Sequence, residues 1–86
     1  MSEKVQVVLY TKPGCGLCEK MKDAMRRAAI DHLYTLQEVD IEKDAELYAR
    51  YRYDIPVLCI NGVEAFRHRL DHEEFKNYLA SLPKAD

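Results

Sequence analysis

The chain contains no tryptophan, and cysteine, glycine and proline occur only three times each. Three cysteines in 86 residues make an odd set, well below the density of a secreted disulfide scaffold. Basic residues are not in excess. A net charge of −2 and a pI of about 5.9 leave no electrostatic footprint for nucleic acid. No apolar run approaches the roughly 18 residues that a membrane span requires. No linker, repeat or low-complexity segment interrupts the chain. The opening "MSEKVQVVLY" lacks a small-residue cleavage site and reads as a first strand rather than a signal peptide. A single globular domain over residues 1–86 is expected, monomeric and placed in the reducing cytoplasm.

Hydrophobic residues make up 48% of the chain and charged residues 33%, enough for a modest core. "KVQVVLY" (4–10) alternates loosely and then turns fully apolar, as a central strand covered on both faces would. "TKPG" marks a turn. A helical period follows, with Leu17, Met21, Met25, Ala28 and Ala29 on one face and charged residues on the other. His32 is expected near the end of that helix. "LYTLQEVDI" (33–41) alternates as a second strand. "KDAELYARYR" (43–52) reads as a short helix with Leu47, Tyr48 and Tyr51 on one side. "IPVLCI" (55–60) is a strand opened by a proline, and Asn61–Gly62 is a hairpin signal leading into "VEAFRH". The closing "DHEEFKNYLASL" starts with a capping-box pattern, Asp71 and Glu74, and carries an apolar stripe of Phe75, Tyr78, Leu79 and Leu82. Two βα crossovers imply a parallel pair of strands, and the hairpin adds antiparallel ones. The expected class is α/β: a small mixed sheet with helices on both faces, and its chemistry beyond the carboxyl end of the first strand.

That position holds "YTKPGCGLC" (10–18). With a helix starting near Cys15, one sulfur sits at the helix terminus and Cys18 lies one turn in. Unpaired N–H groups and the positive end of the dipole favour an anion there, so Cys15 should ionise more readily than a free thiol. Cys18, displaced toward Met21 and Met25, should be the more buried. This asymmetry suits a nucleophile and a resolving thiol in thiol–disulfide exchange. Other readings remain open at this level: a structural staple, an iron–sulfur cluster shared between two chains, or a redox-inert interaction module. A structural zinc site would need four ligands, and Cys59, His32, His68 and His72 provide no second close pair.

Lys12, three residues before Cys15, could stabilise the thiolate or bind a substrate carboxylate; it also fits a solvated turn. Cys59 reads as a small hydrophobe in a buried strand. The tyrosines at 48, 51 and 53 read as packing around the short helix rather than as a partner surface. For Ile55–Pro56 the local sequence gives trans as the default, since cis occurs in only about 5–6% of such bonds.

"YTKPGCGLC", followed by "IPVLCING" and a final amphipathic helix, resembles a glutaredoxin-like protein of the thioredoxin fold, and the likeness covers nearly the whole chain. The resemblance implies a βαβαββα fold, a four-stranded mixed sheet flanked by three helices. It further implies Cys15 as nucleophile, Cys18 as resolving cysteine and Pro56 in the cis form. Substrate would be bound by the backbone at Ile55 and Pro56, by Lys12 and by Asp71. The implied activity is that of a thiol–disulfide oxidoreductase acting on protein or small-molecule disulfides, with no metal or organic prosthetic group. Glutathione is the co-substrate that the family implies. Three departures bear on this. Gly16 and Leu17 stand between the cysteines where glutaredoxins place proline and an aromatic residue. Gly14 precedes the first cysteine where thioredoxins have tryptophan. "HRLD" (68–71) replaces a Gly-Gly-x-Asp stretch, so that only Asp71 matches the glutamyl-binding end. His68 and Arg69 put bulk and positive charge there, which favours a protein dithiol or another small disulfide over glutathione.

Overall fold

Hydrophobic alternation and turn chemistry produce seven main elements in the computed structural model, which describes residues 4–83. They are β1 (Val5–Thr11), α1 (Gly16–Ala28), β2 (Tyr34–Asp40), α2 (Ala45–Tyr51), β3 (Val57–Ile60), β4 (Val63–Arg67) and α3 (His72–Ser81). Short 3-10 turns at Asp31–Leu33 and Ile41–Lys43 flank β2. The ends of the expected 1–86 domain, residues 1–3 and 84–86, lie outside the described residues.

The sheet order is β2-β1-β3-β4. β1 pairs parallel with β2, placing Thr11 opposite Asp40, and antiparallel with β3, placing Leu9 opposite Leu58. The β3–β4 hairpin turns at Asn61 (φ 50°) and Gly62 (φ 82°), the two left-handed positions that such a tight turn demands. Asn61 also ties the turn to β1. Its N–H donates to the Gln6 carbonyl at 2.8 Å, and its Oδ1 accepts from the Gln6 N–H at 3.0 Å.

The two faces of the sheet are covered separately. Val7, Leu9, Leu58 and Ile60 face α1 and α3, where Met21, Met25, Phe75 and Leu79 close the larger cluster. Phe75 is fully buried, and its ring meets that of Tyr34 edge-on at 5.4 Å. On the other face Tyr10 and Val57 meet α2, with the Tyr10 and Tyr51 rings stacked at 4.7 Å. Tyr51 is the buried member of the tyrosine group, whereas Tyr53 is exposed. Tyr48 also lies outside the core, contrary to its expected place beside Leu47 and Tyr51.

Several local expectations are corrected. Leu17 is half exposed, and Cys18 takes its place in the buried stripe Cys18, Met21, Met25 and Ala28. On a 100° period the two flank the stripe of Met21, Met25 and Ala28 about equally, and Cys18 is the one on the side of Ile41 and Ile55, with which it packs. Ala29 is not on the apolar face. It ends α1 in the left-handed conformation (φ 55°), its N–H donating to the Arg26 carbonyl at 3.1 Å. The chain therefore leaves the helix before His32, which belongs to the following 3-10 turn. β2 buries only Tyr34 among its residues, because it is an edge strand. Ile55–Pro56 is cis, replacing the trans default of the local sequence and agreeing with the resemblance.

Candidate active site

The loop between β1 and α1 delivers Cys15 to the carboxyl end of the sheet. Gly14 turns the loop at φ 76°, a conformation in which a side chain would be strained. Cys15 then adopts the extended geometry of a helix cap (φ −87°, ψ 104°), and its Sγ accepts the Cys18 N–H at 3.1 Å. Sulfur here takes the position that Ser or Asp oxygen fills in most helices, satisfying an otherwise orphaned N–H. The site residues Cys15 and Cys18 are joined as a disulfide with their Cα atoms 5.2 Å apart.

The two sulfurs occupy different environments. Cys18 is 1% exposed and packs with Ile41, Tyr51, Ile55 and Val57. Cys15 is half-buried at the margin of that cluster. One sulfur is therefore reachable from solvent at a helix start, and its bonded neighbour is sealed behind it. When the pair is reduced, the helix N–H groups and dipole favour negative charge on the reachable sulfur.

Ile55 and Pro56 are buried beside the pair. The Ile55 N–H donates to the Tyr51 carbonyl at 3.1 Å, and the Pro56 carbonyl accepts from His68 N–H at 2.8 Å. His68 has φ 71°, a left-handed conformation that favours glycine, and carries an exposed imidazole. Asp71 caps α3, its Oδ2 accepting from the Glu74 N–H at 3.1 Å. Among the described residues the return bond of the capping box, Asp71 N–H donating to the Glu74 carboxylate, does not form.

An open groove of about 550 Å³ runs from Cys15 toward β2. Lys12 lines it, together with Glu19 and Lys22 of α1 and Glu38 and Asp40 of β2. The Lys22 ammonium lies 2.6 Å from Glu19 and 3.0 Å from Glu38, and hydrogen bonds to these two carboxylates raise its pKa. Asp40 accepts from the Glu42 N–H at 2.9 Å. Lys12 has no ion-pair partner among the described residues. The structure thus brings Lys12, Cys15 and Cys18 together with Ile55 and Pro56 close by, and leaves Asp71 outside the groove. Sequence reasoning missed the charged wall formed by Glu19, Lys22, Glu38 and Asp40. The parallel register, Leu9 opposite Glu38 and Thr11 opposite Asp40, was the signal that could have revealed the β2 part.

Cys59 is half-buried on the α2 side of β3, and burial, then the Glu64 carboxylate, pushes its thiol pKa up. Among the described residues no group of three or more His, Cys, Asp or Glu side chains is placed to hold a metal ion.

A four-stranded mixed sheet, helices on both faces and a dithiol at the first helix start define a thioredoxin-like protein. The sequence profile of the glutaredoxin-like domain (DUF836) matches residues 6–80, and the chain belongs to that family. The chain is 27% identical to the "Glutaredoxin-like protein YDR286C homolog" of Dictyostelium discoideum, over 93% of this chain and 80% of that one. The X-ray structure of protein XcR50 from X. campestris superposes with a TM-score of 0.76 at 25% identity, covering 90% of this chain and 99% of that one. A mutant thioredoxin from Halobacterium salinarum superposes at 0.62 with 18% identity, over 92% and 74% of the two chains, a likeness of fold.

Proposed function

We propose that this protein is a dithiol oxidoreductase that reduces disulfides of proteins or small thiols. The observation that carries the reading is the asymmetry of the pair: Cys15 Sγ at the α1 cap accepting the Cys18 N–H, with Cys18 sealed behind it. In the reduced protein the Cys15 thiolate attacks one sulfur of a substrate disulfide. The bond between the substrate sulfurs breaks, a first thiolate leaves, and Cys15 is joined to the remaining half. Cys18 then gives up its proton and attacks the Cys15 sulfur. The second substrate thiolate leaves, and the Cys15–Cys18 disulfide closes. Two electrons have passed to the substrate, and an external thiol reductant restores the pair.

The Ile55 N–H is already engaged by Tyr51, so pairing with a substrate backbone falls to the Ile55 carbonyl. Cys18→Ser stops the cycle at the mixed disulfide, so this variant should accumulate an adduct on Cys15 that is visible as added mass and removed by dithiothreitol. Cys15→Ser should abolish both activity and adduct. Equal loss in both variants with no adduct on Cys18→Ser would refute the assigned roles.

A further inference from the structure

We propose that the groove on the β2 side of Cys15 selects disulfides with net cationic substituents and disfavours those with net anionic ones, glutathione disulfide included. The inference rests on the dithiol reading above and extends it to substrate class.

Two observations combine. The first is placement: the groove opens on the reachable sulfur, so a substrate disulfide in line with Cys15 projects one substituent into it. Its volume of about 550 Å³ accommodates a side chain or a small thiol. The second is the sign of its walls. Glu38 and Asp40 stand two residues apart on one face of β2, and the parallel register sets them at the end of β1 that leads to Lys12 and Cys15. Glu19 adds a third carboxylate from α1. Lys22 is held between Glu19 and Glu38 and engages both, so that Lys12 and Asp40 remain on the same groove and its three carboxylates outnumber its two ammonium groups by one. That excess of one negative charge favours an ammonium or guanidinium group over a carboxylate. Arg69, which carries the opposite sign, is not part of this groove.

The step is the exchange described above. The Cys15 thiolate forms a bond to one substrate sulfur, the substrate disulfide breaks, and its other half leaves as thiolate. The test is a single turnover of protein reduced with dithiothreitol and freed of it. The substrates are cystamine (cationic), 2-hydroxyethyl disulfide (neutral) and 3,3′-dithiodipropionate (anionic). Each rate is divided by that of the same disulfide with a small free thiol, which removes intrinsic reactivity. At low salt the normalised preference for cystamine over dithiodipropionate should be about tenfold, the size expected for one unit charge at several ångströms in a watery groove. It should fall to about twofold or less at 1 M salt, where screening is nearly complete. Glu38→Gln combined with Asp40→Asn should collapse the preference in the same way, and Asp40→Asn alone should reduce it in part. A ratio near one or inverted at low salt overturns the inference, as does a ratio unchanged in the double variant. If the charged pair discriminates by chance of reactivity alone, normalisation returns a ratio of one. Failure of the neutral disulfide to react at all overturns the dithiol reading itself, and this inference with it.

Discussion

Asp71 offers a clean separation between holding the fold and holding a substrate. Its Oδ2 accepts the Glu74 N–H at 3.1 Å and fixes the first turn of α3, the helix that carries Phe75 and Leu79 into the core. Removing such a cap costs about 1 kcal/mol, within a range of roughly 0.5–2. For a domain of this size that lowers Tm by about 4–8 °C. A total stability on the order of 5–10 kcal/mol keeps the variant folded at room temperature. Asp71→Asn retains the cap acceptor and loses only the interaction of charge with the helix dipole, about 0.3–1 kcal/mol. The expected order of Tm in thermal unfolding is therefore wild type, then Asp71→Asn, then Asp71→Ala. Both variants, prereduced, should react with 2-hydroxyethyl disulfide within about twofold of wild type, because Asp71 lies outside the groove. An Asp71→Ala protein with unchanged Tm and a large loss of exchange rate would refute this reasoning. It would hand the carboxylate to the substrate, as the family likeness implies.

Stability should also fall in alkali. Burial raises the pKa of the Cys59 thiol and of the Tyr34 and Tyr51 phenols, so the folded state holds protons that the unfolded chain releases first. The contribution is whole below the unfolded pKa values and is lost as pH rises through the folded ones. Denaturant midpoints should decline from about pH 8.5 upward, and Cys59→Ala should delay the onset; a flat profile to pH 10.5 would contradict this. At the hairpin, Gly62→Ala places a side chain at φ 82° and should cost about 1–2 kcal/mol, read as a lower denaturant midpoint with unchanged slope. An unchanged midpoint would mean that the turn is not the left-handed pair described.

The elements legible in the sequence were those in which one local signal points to one structure. The Asn61–Gly62 pair set the hairpin, Asp71 set the start of α3, and the cysteine pair after an apolar strand set the start of α1. What the sequence concealed depended on neighbours in space. Leu17 and Cys18 are adjacent and both apolar, and the choice between them turned on how α1 lies against Ile41 and Ile55. The end of α1 was hidden because alanine, rather than glycine, takes the left-handed cap. The wall formed by Glu38 and Asp40 looked like ordinary alternation in a strand. It became part of the site only when β2 paired with β1 in a definite register. The cis bond before Pro56 has no local signal, and family likeness alone pointed to it.

The account stands most directly on the ionisation of Cys15 in the reduced protein. Carbamidomethylation by iodoacetamide, followed by mass spectrometry that separates Cys15, Cys18 and Cys59, measures it across pH. A charge-assisted bond from the Cys18 N–H is worth about 1.5–3 kcal/mol, or about 1–2 pH units. Cys15 should therefore reach half its maximal rate at least one unit below the ~8.5 of a free thiol and react before the other two. Half-reaction at or above pH 8.5, or labelling of Cys18 first, would contradict the account.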